Sequence, residues 1–105
     1  MDKGKILVVD DEAAIVKLVS VYLSKEGYSV VAAFDGVEAL ERVEEEKPDL
    51  IILDLKLPGV TGTEILADIR AQGRKVPVIV CTAVLPPKLE IIYKRWTNEV
   101  IIKPV

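Results

Sequence analysis

Five short apolar runs, separated by segments with helical spacing, constrain the fold of this chain more than any other feature of its sequence. The runs are rich in β-branched residues, do not alternate with polar ones, and occupy positions 6–9, 29–32, 50–53, 78–81 and 100–102. Continuous apolar runs of this length are typical of strands that are covered on both faces. They predict a sheet that is buried between two layers of helices.

The segments between the runs carry apolar residues three or four positions apart, as amphipathic helices do. The predicted helical positions are Ile15, Leu18, Val19, Tyr22 and Leu23; Val37, Leu40 and Val43; Ile65, Leu66 and Ile69; and Leu89, Ile92, Tyr93 and Trp96. The resulting βαβαβαβαβ order predicts an α/β fold with a doubly wound, five-stranded parallel sheet and right-handed crossovers. Because the chain stops at Val105, directly after the fifth run, we expect one face of the sheet to be less covered than the other.

Length and composition narrow the class of protein. The chain has 105 residues, of which 50% are hydrophobic, and this indicates one domain over residues 1–105 with a real core. With 14 basic and 17 acidic residues, the net charge of -3 does not indicate direct binding to nucleic acid or to an acidic membrane. No apolar stretch has the length of a secretory signal or a membrane span, and the single cysteine, Cys81, cannot form an internal disulfide. We therefore expect a cytoplasmic protein.

Polar residues follow the apolar runs at the edge of the sheet where parallel strands end. They are Asp10, Asp11 and Glu12 after the first run, Asp54 after the third, Thr82 after the fourth and Lys103 after the fifth. Taken singly, each has an ordinary structural explanation, such as a helix cap, a turn or a solvated lysine. Ligands of open α/β sheets bind beyond this edge, so the residues are more informative together than apart.

The combination of acids at this edge indicates a metal-assisted phosphoryl site. Clustered carboxylates repel one another unless a cation lies among them, and Mg²⁺ prefers oxygen ligands. Asp11, Asp54 and, through water, Asp10 suit that cation. A carboxylate such as Asp54 can also attack phosphorus when the charge of the transferred group is neutralised. Lys103 would supply positive charge, and the Thr82 hydroxyl would donate a hydrogen bond to a phosphoryl oxygen.

Other phosphate-binding chemistries fit the sequence less well. A dinucleotide site or a P-loop requires a glycine-rich turn after the first strand, whereas the turn in this chain is acidic. A haloacid-dehalogenase-like phosphatase places a second acid two residues after its aspartate nucleophile, and that position is Lys56. The chain also has no histidine, so a phosphohistidine donor would have to be another molecule.

Over nearly its full length the sequence resembles the receiver domains of two-component response regulators, the CheY-like superfamily. The resemblance rests on the stretches 6–12, 48–55, 57–59, 77–83 and 103–104. It implies a flavodoxin-like sheet with strand order 2-1-3-4-5 and a site where Asp10 and Asp11 position Mg²⁺ with the Lys56 carbonyl as a further ligand. It also implies that Asp54 accepts a phosphoryl group from a histidine kinase or phosphotransfer protein. Thr82 and Lys103 would hold that group, and the Lys103–Pro104 peptide would be cis.

The chain departs from the family pattern in its last third. Val100 stands where the family has an aromatic residue three positions before the lysine, and the helix that follows the Lys-Pro pair in the family is missing from this sequence. We therefore predict either that this sequence is a shortened form of a longer chain, or that a homodimer or a domain swap covers the open face. The output would lie in a partner protein or in an output domain.

Two alternatives to a phosphorylation switch come from different classes of protein. The first is an interaction or dimerisation module that keeps the fold and is not phosphorylated. The second is a metal-dependent phosphatase that turns over other molecules. The switch hypothesis instead predicts no turnover enzyme activity, because the domain catalyses only its own phosphorylation and dephosphorylation.

Overall fold

The fold was analysed in a computed structural model that describes residues 3–54, 62–82 and 99–102, with side chains for residues 3–54 and 62–80. In chain order the elements are β1 (Lys5–Val9), α1 (Ala13–Lys25), β2 (Ser29–Ala33), α2 (Gly36–Glu46), β3 (Leu50–Leu53), α3 (Gly62–Ala71), β4 (Val78–Thr82) and β5 (Glu99–Ile102). The predicted fourth helix, with Leu89 and Trp96, lies outside the described residues. So does the Lys103–Pro104 peptide that was expected to be cis.

The five strands form one parallel sheet in the order β2-β1-β3-β4-β5, as the resemblance predicted. Val9, the last residue of β1, pairs with Ala33 on one side and with Leu53 on the other. These three strands therefore end at the same level. The strand order reverses at β1, and in such folds ligands bind beyond the strand ends near that reversal.

The two faces of the sheet are packed by different helices. On the face called here the α2/α3 face, buried strand residues such as Leu7, Val9 and Leu53 join the buried residues of α2 and α3 in one apolar cluster. On the opposite α1 face, Ile6, Val8 and Val16 form a smaller buried cluster, against which partly buried apolar residues pack. The sheet thus forms a three-layer domain within the described residues, as the alternation of runs predicted.

The predicted apolar row of α3 is confirmed, but those of α1 and α2 were partly wrong. Ile65, Leu66 and Ile69 are all buried against the sheet. In α1, Leu18 and Tyr22 are 58% and 68% exposed, whereas the unpredicted Val16 is buried. The contact line of α1 runs through Val16, Val19 and Leu23, a spacing of three and four residues that leaves Leu18 and Tyr22 on other sides of the helix.

Helix α2 approaches the sheet on its smallest residues. Gly36, Ala39 and Val43 are buried, while the predicted core residue Val37 is 57% exposed. A row that begins with glycine and alanine lets a helix lie closer to its neighbours than a row of large residues would. The prediction failed at Val37 because size and hydropathy alone favour valine over glycine as a core residue.

No helix in the described ranges 3–54, 62–82 and 99–102 is long and apolar enough to cross a membrane.

Candidate functional site

Asp10 and Asp54 lie side by side where two neighbouring strands end. Asp10 follows β1 and Asp54 follows β3, and the backbone N–H of Asp54 donates to the carbonyl of Val9 at 2.9 Å. The Asp10 N–H donates to the carbonyl of Ala33, the last residue of β2, at 3.1 Å. The parallel ladder thus continues one residue past the strands and fixes the backbone of both acids.

These two aspartates are the buried charged side chains in the part of the chain whose side chains are described. Asp10 is 4% exposed and Asp54 is 5% exposed. Burying a carboxylate is unfavourable unless hydrogen bonds or an opposite charge compensate, so two buried carboxylates at one edge mark a place with a specific purpose. Buried ionisable groups at the strand ends of an α/β sheet are candidates for a functional site.

A cluster of three carboxylates occupies the turn between β1 and α1. Ligand atoms of Asp10, Asp11 and Glu12 all lie within 4.8 Å of one another, with Asp10 buried and the other two exposed. The Glu12 N–H donates to Asp10 Oδ1 at 3.0 Å, which fixes the direction of the Asp10 side chain. Glu12 is the N-cap residue of α1 but makes no side-chain capping bond, so its carboxylate is not engaged in capping.

The donor set at this turn fits a magnesium ion. Mg²⁺ prefers carboxylate and carbonyl oxygens together with water, and the cluster offers carboxylate oxygens at a separation that one ion can span. The positive end of the α1 dipole favours acids at this turn, but it amounts to about half a charge against three carboxylates. A divalent cation would neutralise most of the remaining negative charge.

Glu12 is the residue of this cluster that was not predicted as a candidate ligand. Its signal in the sequence is its place directly after Asp10 and Asp11.

The other predicted site residues are placed only in part. Thr82 is the last residue of β4 and pairs with Ile102 at the end of β5, so its backbone lies at the same edge of the sheet as Asp54. Lys56 and Lys103 lie outside the described residues. The structure therefore places Asp10 and Asp54 at neighbouring strand ends, with Asp11 beside Asp10. The roles of all six predicted site residues stay predictions.

Comparisons with known proteins agree with this architecture. The family model described as "Response regulator receiver domain" matches residues 6–105. The alkaline phosphatase synthesis transcriptional regulatory protein PhoP of Bacillus subtilis is 49% identical over 79 residues, which are 75% of this chain and 33% of PhoP. The chain thus matches only about a third of the length of this curated relative.

Two solved structures show the same fold over 99% of this chain. The N-terminal domain of a response regulator receiver protein from Methanoculleus marisnigri is 34% identical with a TM-score of 0.91, covering 99% of this chain and 87% of that chain. The response regulator TrrA of Thermotoga maritima, solved in complex with Mg(2+)-BeF, is 33% identical with a TM-score of 0.85, covering 99% and 88% of the two chains.

Proposed function

The chain belongs to the response regulator receiver domain family, and we propose that residues 1–105 form one receiver domain that works as a phosphorylation switch with Asp54 as the acceptor. The observation that carries the proposal is the buried Asp54 carboxylate beside Asp10, at the edge that also holds the acidic cluster. A buried acceptor is shielded from competing reactions with water, whereas the exposed Asp11 and Glu12 leave the edge open to a donor.

The proposed reaction transfers a phosphoryl group to a carboxylate oxygen. An Asp54 oxygen attacks phosphorus in line, the bond from phosphorus to the imidazole nitrogen of the donor breaks, and the electron pair stays on that imidazole. The product is an acyl phosphate on Asp54. Bound Mg²⁺ would neutralise the developing charge on the phosphoryl oxygens.

The residues of the chain would share the remaining tasks. Asp10 and Asp11 hold the cation, together with the backbone carbonyl of Lys56. The Thr82 hydroxyl donates a hydrogen bond to one phosphoryl oxygen, and the Lys103 ammonium offsets the charge on another. The complex of the similar TrrA with Mg(2+)-BeF supports a magnesium-dependent site in this chain.

The partners follow from the same proposal. The donor is a histidine kinase or phosphotransfer protein, because this chain has no histidine of its own. The message passes to an output domain or a partner protein, as the greater length of the transcriptional regulatory relative suggests. The domain itself contacts neither nucleic acid nor membrane, works in the cytoplasm, and does not turn over substrates. The homodimer expected from the sequence stays a prediction, which light scattering on the purified chain would test.

Phosphorylation by a small donor tests the proposal directly. Incubated with acetyl phosphate and Mg²⁺, the wild-type chain should gain one phosphoryl group in intact-mass analysis, and chelation of Mg²⁺ should abolish the gain. Asp54→Asn removes the nucleophile with little change of shape, and it should gain none. The matched control is Asp68→Asn on an exposed position of α3, which should be phosphorylated like the wild type.

The outcomes separate the alternative functions. A wild-type chain that gains no phosphoryl group contradicts the switch and supports an interaction module with the same fold. Steady release of product from an aryl phosphate would support a phosphatase instead. A phosphoryl group that appears equally on Asp54→Asn would show that the acceptor is another residue.

A further inference from the structure

One peptide group links the first turn of α2 to the acidic edge. It is the group formed by the Ala33 carbonyl and the Phe34 N–H, directly after β2. Its carbonyl accepts the N–H of Asp10 at 3.1 Å, and its N–H donates to Glu38 Oε1 at 2.8 Å. The Glu38 carboxylate and the Asp10 backbone thus bind opposite ends of the same planar unit.

A peptide group in this position transmits orientation. Because the peptide bond is planar, the direction of the Phe34 N–H determines the direction of the Ala33 carbonyl. The bond to Glu38 is charge-assisted, and such bonds are shorter and stronger than neutral ones. Charge at the N–H end also polarises the carbonyl, which becomes a better acceptor for the Asp10 amide.

The Glu38 side chain is itself held by the helix to which it belongs. Asp35 is the N-cap residue of α2, and its Oδ1 accepts the Glu38 N–H at 2.8 Å. The two acids thus make reciprocal bonds in the manner of a capping box, except that Glu38 reaches back to Phe34, one residue before the cap. The buried Ala39 and Val43 anchor α2 on the sheet. The backbone from which the Glu38 side chain extends is therefore held in place.

Asp10 is the residue that receives this orientation. Its backbone N–H is bound to the Ala33 carbonyl, and its side-chain Oδ1 accepts the Glu12 N–H. The first bond fixes the position of the Asp10 backbone, and the second fixes the direction of its carboxylate. Loss of the first bond would shift a carboxylate that must lie within a few tenths of an ångström to bind a small, rigidly coordinated cation.

We propose that Glu38 is a positioning residue for the magnesium site, acting through the peptide group 33–34 on Asp10. The inference rests on the proposed function, because it assumes that Asp10 takes part in binding Mg²⁺. The proposal adds to the magnesium site a residue that lies on α2, outside the acidic edge. Glu38 itself would contact neither the cation nor the phosphoryl group.

Three substitutions of Glu38 distinguish the effect of its hydrogen bond from the effects of its charge and of its side-chain length. Glu38→Gln keeps an acceptor oxygen at the same place without the charge, Glu38→Asp keeps the charge on a shorter side chain, and Glu38→Ala removes both. The matched control is Glu41→Ala, which removes an equal charge from an exposed position on the same helix. Urea unfolding of each variant would confirm that the native state predominates under the binding conditions.

Magnesium affinity by calorimetry and the Asp10 amide resonance by NMR are the two readouts. Partners that orient metal ligands directly typically change affinity by about 10- to 100-fold, and Glu38 acts one step further away. We therefore expect Glu38→Ala and Glu38→Asp to weaken Mg²⁺ binding by about three- to ten-fold and to move the Asp10 amide proton upfield. Glu38→Gln should retain most of the affinity, and Glu41→Ala should resemble the wild type.

The two readouts also keep this inference apart from the proposed function. If Glu38→Ala moves the Phe34 resonance but leaves both the Asp10 resonance and the Mg²⁺ affinity unchanged, the positioning role is overturned. An equal loss of affinity in Glu41→Ala would overturn it too, since the effect would then be one of net charge. If the wild type binds no Mg²⁺, the proposed function fails, and the Asp10 resonance alone still decides whether Glu38 acts on Asp10.

Discussion

The two faces of the sheet are built from the same strands but differ in how completely they are packed. On the α2/α3 face, Ile51 and Leu53 of β3 are fully buried, as are the residues of α3 that cover them. On the α1 face, Leu50 and Ile52 of the same strand are only partly buried. Alternate residues of one strand point to opposite faces, so the difference lies in what covers each face and not in the strand itself.

The α1 face also presents apolar side chains to solvent. Leu18, Val21 and Tyr22 of α1 are 58%, 45% and 68% exposed. A groove of about 450 Å³ runs along the helix, with Val21 on its wall together with Lys17, Ser20, Ser24 and Lys25.

The α2/α3 face is the part of the domain that supports the candidate site. Val9 and Leu53, the residues directly before Asp10 and Asp54, both belong to the α2/α3 face and are 1% and 0% exposed. A close-packed layer has low compressibility, so it holds the strand ends and the two acids in register.

The largest expected effect separates two neighbouring isoleucines on β3. Ile51→Ala removes a fully buried side chain from the α2/α3 face and should lower the free energy of unfolding by about 3–4 kcal/mol. Ile52→Ala makes the same chemical change on the α1 face, where burial is partial, and should cost about 1–2 kcal/mol. Urea unfolding followed by circular dichroism gives both values.

Equal losses for the two isoleucines would contradict the difference between the faces. If Ile51→Ala is too unstable to measure, Ile51→Val and Ile52→Val provide the same comparison with smaller cavities. The unfolding slope should be unchanged in each pair, because the surface exposed on unfolding is nearly the same.

A smaller effect distinguishes two residues on α1. Val16 is 4% exposed and packs against Ile6 and Val8, so Val16→Ala should lower the free energy of unfolding by about 1.5–2.5 kcal/mol. Leu18→Ala, at a position 58% exposed, should change it by less than about 0.5 kcal/mol. Thermal and urea unfolding of the two variants test the assignment, and a large loss for Leu18→Ala would mean that this side chain is covered in solution.

The sequence predicted the sheet well because its signal is long and redundant. Each strand was recognised from a run of several apolar residues, and the observed strands extend those runs by at most one residue at either end. The acidic edge was equally easy to predict, since Asp10 and Asp54 directly follow two of the runs. Both predictions needed only the order of elements along the chain.

The remaining errors concern interactions that depend on distance between elements. Which side of α1 faces the sheet is decided by how the helix lies on β1 and β2, and the spacing of Leu18 and Tyr22 does not contain that information. The bond from Phe34 to Glu38 was also missed, although Asp35 and Glu38 have the spacing of a capping box. Its connection to Asp10 arises only when β2 pairs with β1.

The smallest expected effect on stability concerns two lysine contacts near the start of β1, one on each side of the sheet. On the α2/α3 face, Lys5 Nζ donates to Glu46 Oε1 at 2.9 Å and joins β1 to the last turn of α2. That hydrogen bond and the attraction of the same ammonium hold the pKa of the Glu46 carboxyl below its ordinary value. On the other side of the chain, Lys3 Nζ lies over the Tyr28 ring, 5.8 Å from its centre, and this contact involves no carboxylate.

The contributions of these two lysine contacts to stability should therefore respond differently to acid. A carboxyl whose pKa is lower in the folded state than in the unfolded state stabilises the fold above its unfolded pKa, and this contribution is lost as the pH falls through the folded value. Glu46→Gln should lower the urea midpoint slightly at neutral pH and leave it unchanged in strong acid, whereas Tyr28→Leu should shift the midpoint by a similar amount at both. The effect of Glu46 should be small because both partners of the ion pair are about one-third exposed, at 34% and 32%. Glu44→Gln, which makes the same chemical change at an exposed position of the same helix, is the control. An equal acid response in that variant would show that net charge rather than the Lys5 contact is responsible.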